Sequence, residues 1–307
     1  MNEMDDLNRP SNGPLVTVVT PSFNQGRFIR DTIESVLSQD YPNLEYMVID
    51  GGSTDDTLSI LKSYEDRFAW VSEPDRGQAH AINKGWRCAK GEILAWLNSD
   101  DIYQPGAIRT AVEFLIHNQQ VGMVYGEAYY VDESGHPIDR YSTDPFDPDR
   151  FFERCSICQP TVFVRRAVIE DVGYLDESLN FCLDYELWIR IAKKYTPAYV
   201  PQYLAKSRLH EECKTIKYRV KVHKEALNML HHHYGYVPPF LLGAYVREVL
   251  TSYGTPSTPL NKGLFFLGMV AIGTREFIRY NSRLPLSEMG RWKRGLVKGV
   301  KKVWAEL

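Results

Sequence analysis

The sequence predicts an α/β fold with a mostly parallel sheet, on three observations: short β-branched apolar runs, a helical period between successive runs, and a polar loop closing each run. Leu15-Val16-Thr17-Val18-Val19-Thr20 is nearly continuous in apolar and β-branched residues, the pattern of a strand covered on both faces. Ile29, Ile33, Val36 and Leu37 then recur at helical spacing. A second run, Leu44 to Ile49, ends at Asp50-Gly51-Gly52-Ser53, and Thr54 or Asp55 can cap a helix through Leu58 and Leu61. Phe68-Ala69-Trp70-Val71 forms the third run, Ala79, Ile82, Trp86 and Ala89 the third helix, and Ile93 to Leu97 the fourth strand.

Beyond Asp101 the alternation loosens. A helix is expected over Ala107 to Ile116, strands at Val121 to Tyr125 and Ala128 to Val131, and a hairpin turn at Glu133-Ser134-Gly135-His136. Pro145 and Pro148 mark Ser142 to Pro148 as a loop, Thr161 to Val164 reads as a short strand, and Leu183, Leu187 and Ile191 mark a helix opening near Asp184. After Cys213 the pattern is helical to Leu307, broken at Thr255-Pro256-Ser257-Thr258-Pro259.

Composition narrows the function classes. With 44% hydrophobic residues among 307, the chain can bury a sizeable core, which excludes wholesale disorder. Thirty-six Lys and Arg against 39 Asp and Glu leave a net charge of −3, which offers no general attraction for nucleic acid. Five cysteines, at 88, 155, 158, 182 and 213, are odd in number and lack framework spacing, so a reducing, cytoplasmic setting is expected. Cys155 and Cys158 have no second CxxC to complete a metal site, and the run His231-His232-His233 points its rings in different directions on a helix. Met1 to Pro14 reads as a disordered arm without the basic start and apolar core of a signal peptide. No apolar run reaches the ~18–20 residues of a spanning helix; the nearest approach is Leu264 to Gly273.

Ligands of parallel α/β sheets sit beyond the carboxyl ends of the strands, where loops converge and helix N-termini point outward. The polar clusters fall there: Thr20-Pro21-Ser22-Phe23-Asn24, Asp50 to Asp56, Glu73 to Gln78, and Asn98-Ser99-Asp100-Asp101. Adjacent carboxylates such as Asp100 and Asp101 suit a hard divalent cation, although the same pair can cap a helix. Asp50, ahead of two glycines, is expected on the crevice floor, where a carboxylate can accept an imide N–H. An Asx-turn accounts for the same residue types.

Those four loops, with Asn83-Lys84-Gly85, resemble the successive signatures of family-2 inverting glycosyltransferases, and the resemblance runs from Leu15 to about His210. It implies a glycosyltransferase A-type fold, with a catalytic domain over 15–212 (donor half 15–101, acceptor half 102–212) and a helical extension over 213–307. It further implies a nucleoside-diphosphate sugar donor, usually UDP-linked, and Mg²⁺ or Mn²⁺. Carried over residue by residue, Thr20, Pro21, Phe23, Asn24, Asp50 and Gly51 would hold the base. Asp75 would line the nucleoside pocket, Gln78 and Asn83 would be further donor-binding residues, Asp100 would face ribose or sugar, and Asp101 would bind the metal. Asp184 resembles the base at an acidic-aromatic helix start, with Leu183 where Glu often stands; His210 resembles a residue near diphosphate or metal; Gln159 and Trp188 would border the acceptor. A sugar nucleotidyltransferase would show a glycine- and lysine/arginine-rich first loop, and Pro21-Ser22-Phe23-Asn24-Gln25 is not one. A silent nucleotide-sugar-binding scaffold is a further alternative, set against Asp101 and Asp184.

The implied acceptor is a glycan or a lipid-linked glycan. Between Pro285 and Leu307, six basic residues against Glu288 and Glu306 give +4, and Trp292, Leu296, Val300 and Val303 fall on one side of a helix. That pattern suits peripheral attachment to an anionic membrane surface.

Overall fold

A computed structural model of the protein describes residues 13–254 and 258–282. The expected basic helix between Pro285 and Leu307 lies outside the described residues, as does nearly all of the N-terminal arm. The chain divides into two compact units, one running through Asp147 and including Ser156–His210, the other combining Pro148–Cys155 with the chain from Glu211.

The first unit carries β1 (Val16–Ser22), α1 (Ile29–Leu37), β2 (Leu44–Asp50), α2 (Thr57–Lys62), β3 (Ala69–Ser72), α3 (Gln78–Cys88) and β4 (Ile93–Trp96). These are the four strands and three helices expected from the apolar periodicity. Then come β5 (Ile102–Tyr103), α4 (Ala107–His117), β6 (Met123–Val131) and β7 (Pro137–Arg140); α5 (Pro148–Glu153) belongs to the second unit. The first unit closes with β8 (Phe163–Arg165), α6 (Arg166–Val172), α7 (Leu183–Ala192) and β9 (Ala198–Arg208).

The strands form one sheet in the order β3-β2-β1-β4-β8-β6-β9-β5, with β7 on β6. The longest ladders are parallel: β1 with β2, and β6 with β9. Antiparallel pairs join β4 to β8, β8 to β6, β5 to β9 and β7 to β6. In the first half the registers Ser22↔Asp50 and Asp50↔Ser72 bring three strand ends level, so their loops emerge side by side. Pro21 is tolerated within β1 because it lies beyond Val19↔Trp96, the last pair with β4, where the ladder on that edge has ended.

Two expectations change. The strands expected at 121–125 and 128–131 are one strand, β6, and the hairpin turn joins it to β7. Gly126 between them is an approach point: a Cβ there would lie 2.6 Å from Leu204 Cγ on β9. β9 itself was not expected, because Pro201, Gln202 and Lys206 interrupt its apolar pattern.

One face of the sheet packs Val16, Val18, Val48 and Ile93 against Ile29 and Ile33 of α1 and Ile108 and Leu115 of α4. On the other, Trp86 of α3 meets Trp96 of β4 edge-on at 5.3 Å, and Trp96 stacks on Trp188 of α7 at 5.4 Å. Each such ring removes ~150–250 Å² from water. Trp188, expected beside an acceptor, is therefore a fully buried core residue.

The second unit adds α8 (Lys214–Lys217), α9 (Arg219–Tyr234), α10 (Pro239–Thr251) and α11 (Pro259–Asn281). Phe152 of α5 meets Tyr234 and Tyr236 edge-on, Lys224 of α9 pairs with Glu276 of α11 at 3.2 Å, and Val237 N donates to Asn281 Oδ1 at 2.8 Å. Among the described residues no helix is long and apolar enough to cross a membrane.

Helix α3 lies on β1 through Gly85, where a Cβ would meet Val19 Cγ1 at 2.6 Å. Gly85→Ala should therefore destabilise the first unit by about 1–3 kcal/mol, the scale of overpacking. The expected outcome is a thermal midpoint several degrees lower by calorimetry; an unchanged midpoint would mean that α3 can move off the sheet at no cost.

Candidate active site

The loops after β1 and β2 are laced together before any ligand is considered. Asn24 adopts a left-handed conformation, φ 53°, which its short polar side chain tolerates. Its N–H donates to Ser53 Oγ at 2.7 Å, and its Oδ1 accepts from Thr54 N at 2.9 Å. Gln25 N donates to Thr57 Oγ1 at 3.0 Å and Gly26 N to Asp55 Oδ2 at 2.9 Å. Thr20 and Pro21 lie inside β1, Thr20 accepting from Tyr46 OH at 3.1 Å; Phe23 and Asn24 are the members of this loop that reach the surface. The Tyr46 phenol is held far above its ordinary range by burial.

Asp50 is fully buried and its carboxylate is committed internally. It accepts from Gly52 N, Ser53 N, Ser53 Oγ and Ser72 Oγ at 2.5–3.1 Å. Three of those bonds fall on Oδ2 and one on Oδ1, so Asp50 braces the loop whether or not a base is bound. Asp75 occupies the neighbouring space. Gly77 N donates to its Oδ1 at 2.7 Å, and its Oδ2 lies where a side chain on Gly51 would be, 2.7 Å from the ideal Cβ position. Gly51 thus makes room for Asp75.

Asn83 is also corrected. Its amide donates to Leu175 O and Glu177 Oε1 and accepts from Leu175 N, so this buried residue anchors residues 175–177 rather than a donor. Gln78 Nε2 donates to Asn98 Oδ1 at 2.7 Å, and Asn98 Nδ2 donates to both Asp101 Oδ2 and Gln159 Oε1 at 3.1 Å. Gln159 in turn donates to Trp96 O at 2.8 Å. Buried in this chain of amides, Gln159 fixes the loop after β4 and does not present its side chain to an acceptor.

The two adjacent aspartates separate sharply. Asp101 is buried, accepting from Arg208 N and Asn98 Nδ2 at 3.1 Å. Burial first, and the charge of Asp100 second, push its carboxyl well above the usual range. Asp100 keeps its side chain 21% exposed, and its Oδ2 lies 3.1 Å from His210 Nε2. His210 rests on the Phe28 ring at 4.7 Å, and the Arg208 guanidinium covers the same ring at 4.8 Å. Arg208 also donates to Asp100 O at 3.0 Å, to Glu133 O and to Asp31 Oδ2 at 2.8 Å. A carboxylate oxygen beside an imidazole nitrogen, with one carboxylate face open, is a donor set that suits a divalent cation and leaves positions for phosphate oxygens. Asp100 is the more exposed of the two aspartates, whereas Asp101, the expected metal ligand, is buried.

On α7, Asp184 sits in the first turn, half-buried, with Oδ1 accepting from Tyr185 N at 2.8 Å. Glu186, the other acid of that turn, is consumed by Arg190 through contacts of 2.8–3.0 Å. Asp184 is therefore the acid of this helix start left near the surface. The braces Ser72, Asp31 and Phe28 were not singled out from the sequence; for Ser72, the level strand ends would have been the signal.

A parallel α/β sheet with acidic loops at its carboxyl edge defines a nucleotide-binding class of protein. The glycosyltransferase family 2 model matches residues 17–173, and the chain belongs to that family. It is 31% identical over 212 residues to an uncharacterized glycosyltransferase of Rickettsia typhi, covering 64% of this chain and 65% of that protein. To a putative teichuronic acid biosynthesis glycosyltransferase of Bacillus subtilis it is 32% identical, over 64% of this chain and 79% of the relative. The chain spans less than two thirds of the length of the Rickettsia relatives. Its fold is similar to a mannosyltransferase from Pyrobaculum calidifontis solved with GDP-Man and Mn²⁺, with a TM-score of 0.57 at 19% identity over 98% of this chain and 92% of that one. S. aureus TarS 1-349 with UDP-GlcNAc gives 0.55 at 17% identity, over 94% and 81%. The glycosyltransferase A-like α/β fold is thereby shown.

Asp50 of the second loop and Asp75 of the third should behave oppositely. Asp50→Ala strands four donors, so it should lower the thermal midpoint without any ligand, at ~1–3 kcal/mol for buried groups left unpaired. Asp75→Ala should leave the midpoint within about a degree, on the scale of surface substitutions, and weaken nucleotide binding. Calorimetry and nucleotide titration on both variants check this; a stable Asp50→Ala protein with lost binding would restore Asp50 to the base.

Proposed function

We propose that this chain transfers a sugar from a nucleoside-diphosphate donor, UDP-linked, to an acceptor hydroxyl with inversion, in the assembly of a surface polysaccharide. The observation that carries the reading is the Asp100–His210 pair at the mouth of the loop after β4, beside the level ends of the parallel strands. Asp75, Phe23 and Asn24 would receive the nucleoside. Asp100 and His210 would hold Mg²⁺ or Mn²⁺, which when bound supplies positive charge for the departing diphosphate. In the displacement, the acceptor oxygen bonds to the anomeric carbon as the bond from that carbon to the diphosphate oxygen breaks. Asp184 takes the hydroxyl proton, and the nucleoside diphosphate leaves.

Similar proteins support the class. One is described as a putative teichuronic acid biosynthesis glycosyltransferase, and two solved neighbours hold UDP-GlcNAc and GDP-Man. A panel of UDP- and GDP-sugars with Mn²⁺, read by release of nucleoside diphosphate and by thermal shift, tests the reading. A donor that is turned over supports it; a protein that neither binds nor cleaves any of them overturns it.

Two substitutions divide the roles. Asp100→Asn should cut turnover by on the order of a hundredfold, as losing a charge-stabilising element does, and full activity with excess chelator would remove the metal from the scheme. Asp184→Asn should lower transfer by a similar factor or more while donor affinity, measured on the same preparation, stays intact. Transfer within a few-fold of the parent would place the base elsewhere.

A further inference from the structure

Helix α11 carries an apolar face that nothing in the described structure covers. At 100° per residue, Leu264, Leu267, Val270, Ala271, Thr274 and Ile278 fall within an arc of about 120°. Leu264, Leu267, Val270 and Ile278 are 58%, 64%, 52% and 60% exposed, whereas isolated exposure of one such residue would need no explanation. The opposite side of the helix is the packed one, with Glu276 and Tyr280 buried and bonded to Lys224 and Asn228 of α9. The helix is too short in apolar length to cross a bilayer.

Charge decides what the face meets. Exposed Arg275 and Arg279 border one margin of the arc, and Glu276, the one acid of the helix, is shared between Lys224 at 3.2 Å and Arg279 at 3.8 Å, so one carboxylate is set against the three cations Lys224, Arg275 and Arg279. The sequence that follows, 283–307, holds seven Lys and Arg against two Glu, a net +5 by subtraction. Two copies packed face to face would each carry this positive charge, and a cationic or neutral partner gains nothing from it. An anionic surface neutralises them while accepting the leucines. We infer that α11 lies in the headgroup region of an anionic phospholipid bilayer, inserting Leu264, Leu267, Val270 and Ile278, and that the protein is a peripheral membrane protein through this face.

The test uses the full chain and vesicles of phosphatidylcholine with or without phosphatidylglycerol, read by co-sedimentation and so independent of any sugar transfer. The protein should pellet with the anionic vesicles, less so as NaCl is raised, and stay in the supernatant with neutral ones. Leu264→Glu with Leu267→Glu should weaken binding by at least ~10-fold, the lower end for one buried leucine. Arg275→Gln with Arg279→Gln should weaken it by up to ~25-fold, at ~5-fold per basic residue near such a surface. Far-UV circular dichroism should show both variants folded, because the substituted side chains lie on the exposed side. Parent protein that stays in the supernatant at low salt, or a Leu264→Glu/Leu267→Glu variant that pellets like the parent, overturns the inference. So does a dimer by light scattering that this variant converts to monomer without any effect of vesicles, which would assign the face to a second copy.

Discussion

The arrangement of the site depends on one buried guanidinium. Arg208 ends β9 with its side chain 1% exposed, and from there it reaches the carbonyls of Asp100 and Glu133, the carboxylate of Asp31 on α1 and the face of Phe28. Three backbone segments distant in sequence are tied by one rigid fork, a task that a flexible lysine ammonium cannot reproduce. Its backbone N–H meanwhile holds Asp101. Once the Asp100 carbonyl and the Asp101 carboxylate are both fixed from β9, the remaining freedom of this loop is small, and Asp100 is left facing His210 two residues beyond Arg208.

The other side of the crevice is organised by neutral groups. Ser53 and Ser72 hydroxyls and two loop N–H groups converge on Asp50, while Asn24 locks the first loop to the second. A loop braced this way has little left to order when a ligand arrives, so more of the contact energy appears as affinity. The space released by Gly51 is what lets Asp75 enter the rim from the third loop.

Much of this was legible in the sequence, and the parts that were not share a cause. The first four strands and the polar loops that close them follow from periodicity, because each element is specified by residues next to one another. The identity of the outward-facing aspartate does not. Asp100 and Asp101 are chemically identical, and which one turns inward is decided by Arg208, 107 residues away from Asp101. Asn83 likewise reads as a donor-binding residue until Leu175, 92 residues on, claims its amide. Trp188 sits in a helix start that resembles an acceptor region, yet the stack on Trp96 places it in the core. Motif spacing locates a loop; side-chain direction within it is set by partners that spacing does not contain.

One rule then sorts the acids. A carboxylate withdrawn from water must be matched by donors or lose its charge. Asp50 is matched by four donors, Glu186 by Arg190, and Asp101 by an amide and a backbone N–H with its carboxyl raised as well. Each of these has a less buried acidic counterpart: Asp75 beside Gly51, Asp184 on the same helix turn, and Asp100 next in the chain. The matched member holds the backbone in place, with its charge directed at internal donors. Its counterpart is less buried and inherits a position already fixed. Three such pairs thus divide into scaffold and candidate ligand by burial, and that division is the reason the proposed roles of base contact, metal ligand and proton acceptor are assigned to Asp75, Asp100 and Asp184 rather than to their more buried neighbours.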